Sequence, residues 1–206
     1  MVGVVRRFLF ERGSSVKVCL KCLSIFDDAV RFCPYHGAEL RPFVGRTYEA
    51  GESVCGYYLQ KKIGCDGLGV IYRATKGANT YRLRIYSDAL LLESERVSRL
   101  CELLESDTKM SGGAIPVADF DRTESGGLYS AHPYIPGYSM RDIIERGEVL
   151  RESDVSEVLL LLLRAVRDIH SQEKVHGNIA LSNIILDGSG RIRIHDAGLW
   201  DVVRGE

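Results

Sequence analysis

The chain has 206 residues, 45% of them hydrophobic, and its 27 Lys and Arg against 28 Asp and Glu leave a formal net charge of −1. That length holds one medium domain plus a small module, and the composition excludes a disordered chain. A charge so close to zero supplies no global field toward nucleic acid or an anionic membrane, and the longest apolar run, 158–163, is far short of the ~20 residues of a spanning helix.

Residues 1–17 form an arm in which Arg6 and Arg7 interrupt any signal-like apolar core, so a soluble, cytoplasmic protein is expected. Residues 18–44 carry Cys19-Leu20-Lys21-Cys22 and then Cys33-Pro34-Tyr35-His36-Gly37. Each pair spaced i, i+3 can turn two side chains onto one ion. Two such half-sites give the closed ligand set of a structural zinc site, here Cys19, Cys22, Cys33 and His36, although knuckles of this pattern usually carry Cys in place of His36. Gly37 suits the tight turn, and a segment this short has too little apolar surface to fold without a staple. The competing reading is a surface loop with three thiols and an accidental histidine. Lys17, Lys21, Arg31 and Arg41 are offset by Asp27, Asp28 and Glu39, with no interleaved aromatics, so a structural or interaction module is expected rather than a nucleic-acid reader. Cys55, Cys65 and Cys101 are scattered and read as reduced packing thiols.

Strand-like runs at 57–63 and 70–74 flank Gly64-Cys65-Asp66-Gly67-Leu68-Gly69, either a glycine loop or an ordinary hairpin turn. In a third run, 80–86, Arg82 and Arg84 alternate with Leu83 and Ile85. An amphipathic helix is predicted over 89–104, with Leu92, Val97, Leu100, Cys101 and Leu104 on one stripe. Strands at 115–119 and 128–132 flank the turn 123–127 and complete a small antiparallel sheet with one helix. Two prolines stiffen 133–137, and the Ser139 to Asp142 pattern is a capping box opening a short helix that Gly147 closes. A longer helix, 154–171, carries Val155, Val158, Leu159, Leu162, Val166 and Ile169 on one side, widened by Leu160, Leu161 and Leu163. A helix so apolar must be buried on several sides. Finally, 184–186 and 192–194 flank Asp187-Gly188-Ser189-Gly190 as a hairpin, whose ends gather His176, Asn178 and Asn183 with His195 and Asp196.

The stretch His176-Gly177-Asn178-Ile179-Ala180-Leu181-Ser182-Asn183, followed by Asp196-Ala197-Gly198, resembles the catalytic and metal loops of the protein kinase family, H-R-D-L-x-x-x-N and D-F-G. The order of the glycine loop, basic third strand, acidic helix and proline-stiffened link agrees, and the knuckle ahead looks like the amino-terminal arrangement of some bacterial Ser/Thr kinases. The resemblance implies an α+β fold: a zinc ribbon over 18–44, then a kinase-like domain over 45–206. That domain would have an N-lobe of antiparallel sheet plus one helix to about residue 132 and a truncated helical C-lobe over 133–206.

The resemblance also implies roles at a nucleotide site. Gly64 and Gly69 would cover phosphates, and Arg84 would stand for the phosphate-pairing Lys unless it belongs to a solvated strand face. Glu93, or alternatively Glu95, would pair with it. The Ile135 amide would receive adenine, and Asn183 and Asp196 would hold magnesium. The departures count as much as the matches. Asn178 occupies the catalytic Asp position, and loss of a general base costs ~10²- to 10⁴-fold. Ala180 and Ala197 replace Lys and Phe, and Asp66 replaces the middle glycine. Facing a phosphate at ~4 Å, that carboxylate would be repelled by ~4 kcal/mol unless it turned outward. No activation segment or A-P-E follows, so the helices that would cover 154–171 are missing. The expectation is a truncated pseudokinase with structural zinc and at most weak Mg-ATP binding. Its role would be a scaffold binding a protein partner or a second copy through 154–171. The alternatives are residual ATP-dependent Ser/Thr phosphotransfer using Asp196 and Asn183, or a decayed remnant with a folded knuckle.

Overall fold

The computed structural model describes residues 16–21, 24–43, 47–88, 90–92, 94–199 and 202. It begins with a three-stranded antiparallel ribbon in the order β2-β1-β3, formed by β1 (Val16–Val18), β2 (Ile25–Asp27) and β3 (Arg41–Pro42). Strands this short bury little, and the ribbon's core is Cys19, Cys33 and Leu40 with Phe26, Val30 and Ala38 against it.

The main sheet is six-stranded and antiparallel. It contains β4 (Ser53–Val54), β5 (Tyr57–Asp66), β6 (Gly69–Lys76), β7 (Asn79–Tyr86), β8 (Asp119–Arg122) and β9 (Leu128–Pro133) in the order β4-β5-β6-β7-β9-β8. Its residues alternate between two cores, as the period of a strand requires. Tyr86 and Leu128 join Leu100 and Leu104 of α1 (Ser94–Asp107), whereas their neighbours Ile85 and Tyr129 join Tyr57, Leu59, Val70, Tyr72 and Leu83.

A second sheet, β10-β11-β12, uses β10 (Gly137–Ser139), β11 (Ile184–Asp187) and β12 (Ile192–Ile194), and packs with α2 (Met140–Glu145) and α3 (Glu152–His170) around Met140, Ile143, Ala165, Ile169, Ile184, Ile192 and Ile194. Ser139 caps α2 through a capping box with Asp142, and Gly147 (φ 72°) follows it in the left-handed region. The β11–β12 turn is organised by Asp187, whose carboxylate accepts hydrogen bonds from the Ser189 and Arg191 amides. Gly137 is required for β10 to approach β11, since a Cβ there would lie 2.2 Å from the Leu186 carbonyl oxygen.

Several expectations change in detail. The helix starts at Ser94, because Leu90–Leu92 forms a 3-10 turn whose Leu90 and Leu91 amides donate to the Ser87 and Asp88 carbonyls. Leu92 is consequently 81% exposed and outside the apolar stripe. Residues 115–118 are not a strand: Pro116 has no N–H, the Val117 amide donates to the Asp107 carbonyl, and pairing begins at Asp119. The strands β5 and β6 run through the glycine loop, with Asp66 opposite Gly69, so the connection shrinks to Gly67 and Leu68. The strand β10, within the segment after the prolines, was not foreseen. Along α3, Ala165 and Ile169 are buried and Val158, Leu161, Leu162 and Val166 pack partly, but Val155, Leu159, Leu160 and Leu163 stay between 41% and 64% exposed.

Gly69 holds the tightest point of the main sheet. Its φ is +157°, and a Cβ would sit 2.0 Å from the Ile85 carbonyl oxygen. Gly69→Ala is expected to destabilise the fold by about 3 kcal/mol or more, and Gly64→Ala by less than about 1 kcal/mol. At Gly64 the nearest atom to an added Cβ is 3.9 Å away on the Ile71 side chain. Urea unfolding of the two variants checks the contrast.

Candidate functional site

The site forms where β7 meets the turn after β12. Arg82 and Arg84, two residues apart, point to the same side of β7. Asp196 lies in the left-handed region (φ 64°) and faces both. Arg82 grips it with two bonds, Nη1 to Oδ1 at 3.1 Å and Nη2 to Oδ2 at 3.0 Å, and Arg84 Nη2 adds a third to Oδ2 at 2.7 Å. All three residues are buried. Burial alone would raise the Asp196 pKa, but the two guanidiniums outweigh it and hold the carboxyl well below its ordinary range. Burial likewise opposes the Arg84 charge, and Asp196 and Asp66 overcome it, raising the Arg84 pKa above its usual value.

Arg84 also reaches the glycine turn. Its Nη1 lies 2.5 Å from Asp66 Oδ1, which accepts further hydrogen bonds from the Leu68 and Gly69 amides at 3.0 and 3.2 Å. Asp66 thus does not turn away into solvent: its carboxylate, still partly exposed, is held by the buried Arg84 guanidinium and the amides of the turn. Among the described residues, the carboxylates paired with Arg84 are Asp66 and Asp196. Glu95 instead pairs with Arg99 on the surface of α1 at 2.7 Å, and Glu93 lies outside the described residues. Arg84 and Arg82 are buried, so the solvated-face reading of this strand does not hold.

Below Asp196, the loop before β11 is wired to the same turn. His176 Nε2 bonds the His195 carbonyl at 2.8 Å while Nδ1 accepts from the Asn178 amide at 3.2 Å, which fixes a neutral imidazole with its proton on Nε2. Asn183 Nδ2 donates to the Asn178 carbonyl at 3.2 Å, and the His195 amide donates to the Asn183 carbonyl at 3.0 Å. Asn178, Asn183 and Asp196 are therefore brought together. Gly64 lies within β5 opposite Ile71, and Ile135 is half-buried in the link between β9 and β10, where the Tyr134 amide donates to Thr80. An open recess of about 940 Å³ beside this link is lined by Arg73, Asn79, Tyr81, Tyr134 and Tyr138, and its lining does not reach Asn183 or Asp196.

The ribbon carries a separate cluster. The ligand atoms of Cys19, Cys33 and His36 all lie within 4.8 Å of one another, with Cys33 Sγ 3.6 Å from His36 Nδ1. Tetrahedral zinc ligands sit about 3.3–3.8 Å apart at the usual bond lengths, a range that the Cys33–His36 separation meets. The Cys19 amide donates to the Ser24 carbonyl, and the Gly37 amide (φ 61°) donates to the Cys33 carbonyl. Burial resists ionisation of Cys33, but hydrogen bonds from His36, the Tyr35 amide and Cys19 bring its thiol down to about 7, closer to the thiolate that metals bind. Cys22 lies outside the described residues.

Sequence reasoning missed Arg82, the inward turn of Asp66, and His132. The available signal was the spacing of Arg82 and Arg84: two cations on one strand side demand two anions if that side is buried. His132 packs edge to face on His195, ring centroids 6.0 Å apart.

No family model matches the chain. It is 25% identical over 134 residues to the serine/threonine-protein kinase pkn3 of Myxococcus xanthus, covering 64% of this chain and 24% of that protein. It is 25% identical over 145 residues to mitogen-activated protein kinase 15 of Caenorhabditis elegans, covering 68% of this chain and 31% of that protein. The chain thus spans less than a third of these curated relatives. Among solved structures, the M. tuberculosis PknI kinase domain superimposes with a TM-score of 0.62 at 21% identity, over 74% of this chain and 62% of that one. The apo form of PpkA-294 gives 0.64 at 20%, over 77% and 63%. The fold is that of a protein kinase: a curled antiparallel sheet with one helix, followed by helices and a hairpin. The curated relatives that it matches are Ser/Thr protein kinases.

The buried histidines make stability pH-dependent. Burial is the main cause that pushes His132 from 6.5 down to about 4, with Arg82 and Arg84 adding to it and Asp196 opposing. Between those two values the unfolded chain binds more protons than the folded one, so this contribution is complete above pH 6.5 and is lost as pH falls toward 4. Its size is about 3 kcal/mol. The melting temperature is expected to drop across that interval, with a shallower drop in His132→Leu; equal slopes would sink the assignment.

Proposed function

We propose that the chain is a kinase-like scaffold that binds protein and does not transfer phosphate. The observation that carries this reading is the engagement of both Asp196 oxygens by Arg82 and Arg84. If a nucleotide-bound magnesium ion were held here, Asn183 and Asp196 would hold it, and it would neutralise phosphate charge. Asp196 would first have to give up buried, charge-assisted bonds, whose loss leaves Arg82 without its carboxylate and Arg84 with Asp66 alone. Asn178, at the position of the base, offers a carboxamide that takes up no proton. These two features are independent and point the same way.

The ribbon is a structural zinc site in this reading, with Cys22 completing Cys19, Cys33 and His36 as the closed set. The protein-binding surface is the exposed side of α3. Val155, Leu159, Leu160 and Leu163, about half exposed, would each gain roughly 1 kcal/mol on full burial, a drive to association. A second copy of the chain is the first partner to test. Residual phosphotransfer is the second reading. It is favoured by the intact wiring of His176, Asn178, Asn183 and His195 and by the Ser/Thr kinases among the relatives.

Two measurements check the proposal. Elemental analysis of the purified chain is expected to find one zinc ion, lost in Cys33→Ser. Chelation should deprotect the amides of residues 16–43 while those of β5–β7 stay protected; a metal-free ribbon with full protection would contradict it. Light scattering should find a dimer or larger assembly that Leu159→Asp with Leu163→Asp reduces to a monomer, and labelled γ-phosphate should not move to any acceptor. A wild-type monomer that melts cooperatively would remove the scaffold reading, and phosphate transfer abolished by Asn183→Ala would establish the second.

A further inference from the structure

We infer that Asp66 is a built-in occupant of an oxyanion site, so that the cleft is closed by the chain's own carboxylate in the place a phosphate group would take. This deepens the reading of the cleft as one that does not transfer phosphate, and rests on it.

Three donors converge on a single oxygen. The Leu68 and Gly69 amides and Arg84 Nη1 lie 3.0, 3.2 and 2.5 Å from Asp66 Oδ1. Two adjacent main-chain N–H groups at a glycine turn, backed by a guanidinium, form an anion-binding concavity whatever anion fills it. Here the donors and the occupant differ in how firmly they are held. The Arg84 side chain has no exposure, whereas that of Asp66 is 38% exposed, so the carboxylate closes the mouth and the cation lies behind it.

The donors stay in place without Asp66. Leu68 is buried with Leu90, Leu100, Leu104 and Leu199, and its carbonyl accepts from the Ser87 amide at 2.8 Å, which fixes the turn that presents the two amides. Arg84 retains Asp196 at 2.7 Å as a second partner, so it is not stranded when the first leaves. A site with preorganised donors and a removable occupant binds an external anion only in the fraction of molecules whose occupant has swung out, and its apparent affinity falls by that fraction. The ligand class is the phosphoryl group of a polyphosphate. Its capture needs no metal, because Arg82 already neutralises Asp196.

The test uses the full chain and inorganic tripolyphosphate in metal-free buffer, with binding read by calorimetry and folding by the thermal melt. Wild type is expected to bind weakly, whereas Asp66→Ala and the near-isosteric Asp66→Asn bind at least about tenfold tighter. Adding Arg84→Met to Asp66→Ala should abolish the gain. The inference is overturned if a folded Asp66 variant binds no better than wild type, or if the gain survives loss of Arg84. Phosphate transfer by wild type would overturn the functional reading instead, without altering either of these binding results.

Discussion

The chain of charges Asp66–Arg84–Asp196–Arg82 is the constraint on which the rest depends. Two guanidiniums buried on one side of β7 cost several kcal/mol each in lost hydration, and only carboxylates brought to the same place offset it. The sequence supplies two, one from the β5–β6 turn and one from the turn after β12. The network is locally neutral, so the fold tolerates it. Its partners come from three elements distant in sequence, so it also fixes how those elements meet. A buried network of this kind specifies an arrangement more than it stabilises one, since apolar residues of equal volume would often do as well energetically. What it specifies here is a glycine turn drawn down onto β7.

The ribbon meets the opposite problem. Its strands are two or three residues long, and among the described residues its buried apolar side chains are Val16, Val18, Cys19, Cys33 and Leu40, with a few partly covered neighbours. Such an element cannot offset its chain entropy by apolar burial alone. Cys19, Cys33 and His36 bring their ligand atoms within 4.8 Å of one another in this small element. The two parts of the molecule thus place polar groups differently: charge pairs buried within a domain that has ample core, and a thiol–imidazole cluster at the centre of a ribbon that has little.

The elements legible in the sequence are those set by local chemistry. The hairpin at 184–194, the capping box at Ser139 and the apolar stripe through Val97, Leu100 and Leu104 each follow from spacing and turn residues within a short window. Boundaries failed where hydrogen bonds outside the regular pattern decided them, as at 115–118, where the Val117 amide is taken by the Asp107 carbonyl, and at Leu92, left outside by a local 3-10 turn. The site was half legible. Motif order located Asn178, Asn183, Asp196 and Arg84, but Asp66 was judged by what an absent phosphate would do to it, when a cation two strands away decides its direction. Arg82 was seen only as one of an alternating pair, because its partner lies 114 residues further along the chain. Pattern within a window cannot reveal a pairing of that separation.

That separation has a dynamic consequence. The two sheets of the domain are joined by more than the 133–137 link. The Ile194 amide donates to the Gly113 carbonyl and the Ile115 amide to Ile194, while Leu199 and Val202 pack into the core under α1. Lys174 pairs with the buried Asp107 at the end of α1. Between these contacts, the arginines of β7 hold Asp196 from the other side. Opening the domain at 133–137 would therefore separate buried opposite charges and expose an apolar seam at the same time, and no other contact among the described residues offsets either loss. In a two-state picture the open form is held at low population by the sum of both terms. Asp66 is the one member of the network whose release disturbs neither the seam nor the Arg82–Asp196 pair. Movement of the Asp66 carboxylate is thereby separated from movement of the domain as a whole, because Leu68, packed with Leu90 and Leu199, keeps the turn itself in the core.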